Sequence, residues 1–196
     1  MEFYKDIKII NNPNNINVLV NKNNKLPDNY IPNDLVIVDS KYSENLQYLR
    51  KIANDAFVNM CDKAKENGYY IKAVSTYRNY EYQDKLYHNY CKEKGIKYAD
   101  MCSARSGHSE HQTGLAVDIS DISLNYDNFG NTKEFKWVKD NAHKFGFILR
   151  YPKDKTNITG FKYEPWHYRY VGINIATYIY NNNITLEEYK KLEFNL

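Results

Sequence analysis

The sequence predicts an α+β fold: a small, mainly antiparallel sheet flanked by helices. Helical and strand-like periodicities are intermixed along the chain, and several short strand-like runs follow one another closely in its second half. At 196 residues the chain is also long enough to bury one core, which makes a single domain the expectation.

The elements follow in order. Residues 1–40 are rich in Asn and interrupted by Pro13, Pro27 and Pro32, which break any helix. Residues 16–20 and 35–38 are β-prone. This stretch reads as an extended arm lying on a domain spanning 41–196. Residues 43–67 predict a helix, because Leu46, Leu49, Ile52, Ala53, Ala56, Phe57, Met60 and Ala64 recur at helical spacing before Gly68. A strand is expected over 69–76, then a helix over 79–94 capped by Asn79 and ended by Gly95. Residues 96–113 show no clear period and read as a loop. Residues 115–119 form a short apolar run suited to a strand. Thr132 caps a helix running through 145, and 147–150 and 166–171 read as strands. Helices over 172–181 and 185–192 complete the chain, the second with Thr185 as cap and Glu187 and Glu188 in its first turn.

Composition excludes more than it assigns. The 20 Tyr and abundant Asn carry little functional weight, and a net charge of +3 does not mark a nucleic-acid binder. Cys61, Cys91 and Cys102 are odd in number and lack CxxC spacing, so free thiols are expected, with Cys61 in the core. No stretch approaches the roughly 20 apolar residues of a membrane span. The opening MEFYKDIKII lacks the basic-then-apolar pattern of an export signal. The expected location is the cell envelope or outside the cell if a signal or anchor is missing from this sequence, and the cytoplasm otherwise. A monomer is expected.

Chemistry concentrates in residues 109–118 and 164–167. They supply His111, Asp118, Glu164 and His167: two imidazoles and two carboxylates, the inventory of a zinc site with an open position beside a general base. Gly114 and the β-prone residues after it place His111 on a loop and Asp118 on a strand. Asp118 lies within an apolar run, where a charge is costly unless it is paired or bound to metal. Glu164 and His167 are three apart, so they face one site only if the chain bends at Pro165. Trp166 could then shield that site from water. His108 competes with His111 as a ligand on these grounds. His88 and His143 fall in expected helices and read as structural or exposed, while Asp121 and Asp127 read as solvated turn residues.

The pattern SxHxxGxAxD (Ser109, His111, Gly114, Ala116, Asp118), followed by ExWH (Glu164, Trp166, His167), resembles the zinc D-alanyl-D-alanine carboxypeptidases of the VanY type. These group with VanX and VanXY peptidases and with lysostaphin-like and hedgehog-like zinc folds. Segments 19–27, 75–83, 106–118 and 146–172 all look like VanY-type segments in the right order. The resemblance implies one Zn2+ held by His111, Asp118 and His167, with Glu164 as general base and His108 outside the ligand set. It also implies that Arg78 stabilises the substrate or the developing oxyanion, and that Ser109 and Gln83 hydrogen-bond the peptide. One departure is Ser106, where the family often has Pro; no functional group is lost by it. The implied activity is that of a D,D-carboxypeptidase, removing the C-terminal D-Ala from peptidoglycan stem peptides ending in D-Ala-D-Ala or their precursors. L,D-carboxypeptidase and bifunctional D,D-dipeptidase/carboxypeptidase activities share the motifs. A phage endolysin is a weaker rival. A non-catalytic peptidoglycan-binding module and a zinc-stabilised structural domain are the alternatives of another class.

Overall fold

A computed structural model describes residues 3–193. Met1, Glu2 and residues 194–196, the outermost parts of the expected arm and catalytic region, lie outside the described residues. The centre is a four-stranded antiparallel sheet in the order β5-β6-β8-β7, built from β5 (Ile71–Ser75), β6 (Ala116–Asp121), β7 (Phe147–Leu149) and β8 (His167–Tyr170). The expected α+β class with a small antiparallel sheet is the observed one.

Alternation along these strands separates two faces. Ile71, Ala73, Val117, Ile119, Phe147, Tyr168 and Tyr170 enter the main core, against α1 (Lys51–Glu66) and α4 (Lys133–Asn141). From α1 come Ala53, Phe57, Met60, Cys61 and Ala64, all buried. The other sheet face carries Asp118, His167 and Arg169. The long helix α2 (Tyr80–Lys94) is capped as expected: Asn79 accepts a hydrogen bond from the Tyr82 amide, and Gly95 closes the helix. Thr132 and Thr185 cap α4 and α7 (Leu186–Glu193) in the same way. All three cysteines are free, with Cys61 in the core.

Several expectations need correction. The first helix begins at Lys51 rather than 43, because Tyr48–Arg50 forms strand β4, paired antiparallel with β3 (Leu35–Ile37). The Arg50 amide is taken by the Gly114 carbonyl and the Tyr48 amide by the Thr76 hydroxyl, so these residues are held outside any helical ladder. Leu46 therefore leaves the supposed apolar face and is 65% exposed. The expected helix to 145 is α-helical only to Asn141 and closes as a 3-10 turn over Ala142–Phe145. Residues 96–113 are not a plain loop: they hold α3 (Ile96–Cys102) and a buried 3-10 turn, Glu110–Thr113. A short helix, α5 (Thr156–Thr159), and a 3-10 helix, Tyr126–Asn131, lie outside the expected elements, whereas α6 (Ile173–Asn182) is the helix expected over 172–181.

No strand forms over residues 16–20. The carbonyls of Ile16 and Val18 instead accept hydrogen bonds from the Arg169 guanidinium. Two-residue strands β1 (Lys8–Ile9) and β2 (Asn24–Lys25) pair nearby. Val18, Val20, Leu26 and Tyr30 form a small buried cluster of their own. The segment is tied to the rest by Gln112, whose amide reaches the carbonyls of Pro27 and Tyr30, and by Arg50, which reaches that of Asn14. Among the described residues no helix is long and apolar enough to cross a membrane.

Candidate active site and metal centre

Strand register assembles the site. Asp118 on β6 stands directly opposite His167 on β8. Directly opposed residues share a sheet face, so both side chains project together, away from the core. His111 comes from the buried 3-10 turn. That turn is started by Ser109, whose hydroxyl accepts from the His111 amide, and closed by Gly114 at φ 65°. The Glu164–His167 segment bends as its Pro165 requires, with the His167 amide donating to the Glu164 carbonyl.

One ligand atom from each of His111, Asp118 and His167 can be chosen so that all three lie within 4.8 Å of one another. Asp118 bridges the imidazoles: Oδ1 lies 3.0 Å from His167 Nδ1 and Oδ2 lies 3.3 Å from His111 Nε2. His111 Nδ1 is 2.6 Å from the Thr76 carbonyl, which can only accept, so the ring proton sits on Nδ1. Nε2 is then a bare lone pair, and it is buried without a hydrogen-bond partner. Two imidazole nitrogens and a carboxylate, one of them a buried orphan, fit a catalytic zinc ion with a remaining open position.

The electrostatics of His111 and Asp118 agree with that fit, whereas His167 must give up a proton to become a ligand. Burial, reinforced by the Arg78 charge, lowers the His111 pKa to about 4, so the ring is neutral as a ligand must be. Burial alone would raise Asp118, but the two imidazoles over-compensate and hold its carboxyl well below the usual range. Burial likewise opposes the charged form of His167, yet hydrogen bonds with Asp118 and Glu110 carry its pKa up to about 9. Glu164 behaves differently. It is 6% exposed, and burial lifts its pKa to about 7 despite the opposing effect of His167.

These groups open onto a cleft of about 810 Å³. Tyr48, Tyr77, Tyr82, Tyr90, Tyr126 and Trp166 supply aromatic walls, so part of the Tyr-rich stretch after β5 lines the cleft. Trp166 meets Tyr126 edge-on at 5.2 Å. Arg78 also lines the cleft, and its Nε is buried without a partner. Its backbone amide donates to the His111 carbonyl, which pins it beside the triad. Ser109 and Gln83 line the same cleft. Gln83 donates to the Ala104 carbonyl at 2.7 Å and keeps a buried, unpartnered Oε1.

The remaining histidines are occupied elsewhere. His108 Nδ1 contacts the Asn21 carbonyl and its ring packs edge-on against Tyr4. His143 stacks on Tyr180 at 4.0 Å, and His88 sits on the exposed side of α2. Asp121 accepts from the Ser123 amide in a turn.

Sequence reasoning missed Glu110, Arg150, Arg169 and Glu187. Glu110 is 1% exposed, one residue before His111, and its Oε1 accepts from Arg150 Nε at 2.7 Å and Arg169 Nη1 at 2.8 Å. Glu187 takes the other two nitrogens of Arg150. A signal was available: Arg169 is two positions from His167 on a strand and so shares its face, where a cation needs a carboxylate.

Comparison with known proteins agrees with this geometry. The model of the VanY family, D-alanyl-D-alanine carboxypeptidase, matches residues 46–173. The chain belongs to that family. It is therefore a peptidase-family chain, and the match spans both zinc-site segments. YodJ of Bacillus subtilis (strain 168), whose carboxypeptidase name is itself provisional, is 49% identical over 96% of this chain and 74% of its own length. Among solved structures, the LD-carboxypeptidase LdcB superposes with a TM-score of 0.88 at 49% identity, covering 95% of this chain and 91% of that one. A vancomycin-resistance D,D-pentapeptidase VanY, solved in complex with Zn(II), superposes with a TM-score of 0.77 at 36% identity, covering 89% and 98%.

Proposed function

We propose that this protein is a zinc carboxypeptidase that removes the C-terminal D-Ala from peptidoglycan stem peptides. The observation that carries the proposal is the buried His111–Asp118–His167 cluster facing one cleft with Glu164, in a chain of the VanY family. His111 Nε2, an Asp118 oxygen and His167 Nδ1 would hold the ion. Bound zinc supplies Lewis acidity toward the scissile carbonyl and makes a water nucleophilic near neutral pH.

The chain's own residues do the rest. Glu164 takes the proton of the attacking water and passes it to the leaving amine. Its raised pKa, near 7, suits a group that must both accept and return a proton at neutral pH. A cation on the adjacent cluster favours its ionised form, which is the form a base needs. Arg78 brings a guanidinium already positioned beside the triad toward negative charge on the substrate, as the carboxylate or the developing oxyanion. Ser109 and the free Oε1 of Gln83 offer hydrogen bonds to the peptide backbone. Trp166 and the tyrosines limit access of bulk water.

Two substrates fit this chemistry. The likeness to the LD-carboxypeptidase LdcB, at 49% identity, favours the tetrapeptide and cleavage between an L-centre and D-Ala. The family as a whole, and the D,D-pentapeptidase VanY, favour the pentapeptide ending in D-Ala-D-Ala. Mass spectrometry of products from tetrapeptide, pentapeptide and free D-Ala-D-Ala separates them: loss of one alanine from the tetrapeptide alone is the expected result. Glu164→Ala should lower turnover by roughly 100- to 10,000-fold while zinc content stays near one per chain. Near-normal turnover in that variant would sink the assignment of Glu164.

A further inference from the structure

His167 is held between two carboxylates, and only one of them belongs to the metal cluster. Its Nδ1 faces Asp118 at 3.0 Å, and its Nε2 faces Glu110 Oε2 at 3.3 Å. Glu110 is unusually well restrained for a carboxylate. Its Oε1 is held by the guanidiniums of both Arg150 and Arg169, which leaves Oε2 to the imidazole. The arginines are themselves anchored. Arg150 forms a two-pronged pair with Glu187 of α7, and Arg169 donates to the Ile16 and Val18 carbonyls and to that of Tyr170. Tyr151 packs 4.9 Å from the His167 ring and closes one side.

We infer that Glu110 is a positioning residue for the metal centre: its Oε2 accepts the Nε2 proton of His167, so that Nδ1 presents its lone pair to the ion. The inference rests on the zinc reading above. A ring donating Nε2–H to a fixed carboxylate is locked in one tautomer and one orientation, and such a partner raises the ligand's basicity. Arg150 and Arg169 keep Glu110 in place as an acceptor. Segments far apart in sequence, residues 16–18, β7 with the Arg150 that follows it, β8 and α7, thus converge on one metal ligand through one carboxylate.

Glu110→Gln is the informative change. The amide retains the shape and can still accept from both arginines through its oxygen, but it turns a donor toward Nε2. A neutral ring must then carry its proton on Nδ1, the nitrogen that faces the metal. Zinc affinity, measured on the full chain by competition with a chromophoric chelator, should fall about 10- to 100-fold. The comparison variant is Glu187→Gln, which weakens the same buried network without touching His167; its thermal stability should drop, and its zinc affinity should stay within about twofold of the parent. In 15N-edited NMR of the zinc-loaded parent, the His167 Nε2–H resonance should be present, and Glu110→Gln should abolish it. If Glu110→Gln does not fold, Glu110→Asp, which keeps the charge but withdraws it by one methylene, should show the same directional loss. Equal zinc affinity in the parent and the Glu110 variant overturns the inference and leaves the zinc reading standing. So does an equal loss in the Glu110 and Glu187 variants. A parent protein that binds no zinc overturns both.

Discussion

At the scale of single residues, the site depends on groups whose charge is set by burial as much as by neighbours. Glu164 and Asp118 are both carboxylates in one cleft, yet burial raises the first to about 7 while two imidazoles hold the second well below its usual range. Under the proposed function that separation suits them to different work, one moving a proton and the other staying anionic as a ligand. Arg78 has a buried guanidinium nitrogen with no partner in the protein, and the substrate is the natural source of one. Arg78→Ala should lower kcat/KM by about 100- to 1,000-fold with the melting temperature little changed, as read by steady-state assays on the stem peptide. From residue types and spacing alone, His111, Asp118, Glu164 and His167 were legible as one chemical set. Glu110 was not, because a lone Glu in a polar loop looks solvated until the two arginines that bury with it are placed.

At the scale of elements, turns matter more than helices. Gly114 ends the buried 3-10 turn at φ 65°, a left-handed conformation that an L-residue with a Cβ adopts at a cost of about 1–2 kcal/mol. A Cβ there would also lie 2.8 Å from Leu35 Cδ2 and 3.0 Å from Arg50 Cγ. Gly114→Ala should therefore cost about 2 kcal/mol or more in urea unfolding, and it should weaken zinc binding because His111 sits in the turn it closes. Helix α4 offers a control outside the cleft: Thr132→Ala removes its cap and should cost about 1 kcal/mol without changing zinc content. The caps of α2, α4 and α7 were readable because a cap is a contact over three residues. The false start of the first helix arose the opposite way: Leu46 and Leu49 match helical spacing by coincidence, and pairing with residues 35–37 recruits 48–50 into a strand.

At the scale of the whole molecule, buried charge ties the N-terminal segment to the rest of the chain. Lys22 is 4% exposed, donates to the Asp100 carbonyl, and lies over the rings of Phe3, Tyr4 and Phe161. Burial lowers its pKa from 10.5 to about 8, against the opposing effect of Asp100. A lysine depressed in the folded state binds fewer protons there than when unfolded, so its contribution to stability should rise as pH increases through about 8 toward 10, while His167, raised to about 9, gives up stability as pH climbs toward that value. Above about 10 the tyrosines, several of them raised by burial, begin to oppose that gain. Thermal melts across pH 7 to 10 should gain more stability with rising pH in the parent than in Lys22→Met; equal slopes would remove Lys22 as the cause.

The sequence by itself determined the α+β class, most helices and strands, the four chemical groups of the centre, and the two bends at Gly114 and Pro165. Each of these is written in residues a few positions apart, where periodicity, caps and turn chemistry act. Only the tertiary structure decided which strand faces which. It set Asp118 opposite His167, brought Arg78 beside His111, and closed the charge network around Glu110. Arg169 and the Val18 carbonyl that it holds are 151 positions apart. No local pattern reports such a partner, because a buried ion pair is defined by what remains to satisfy it once the chain has collapsed.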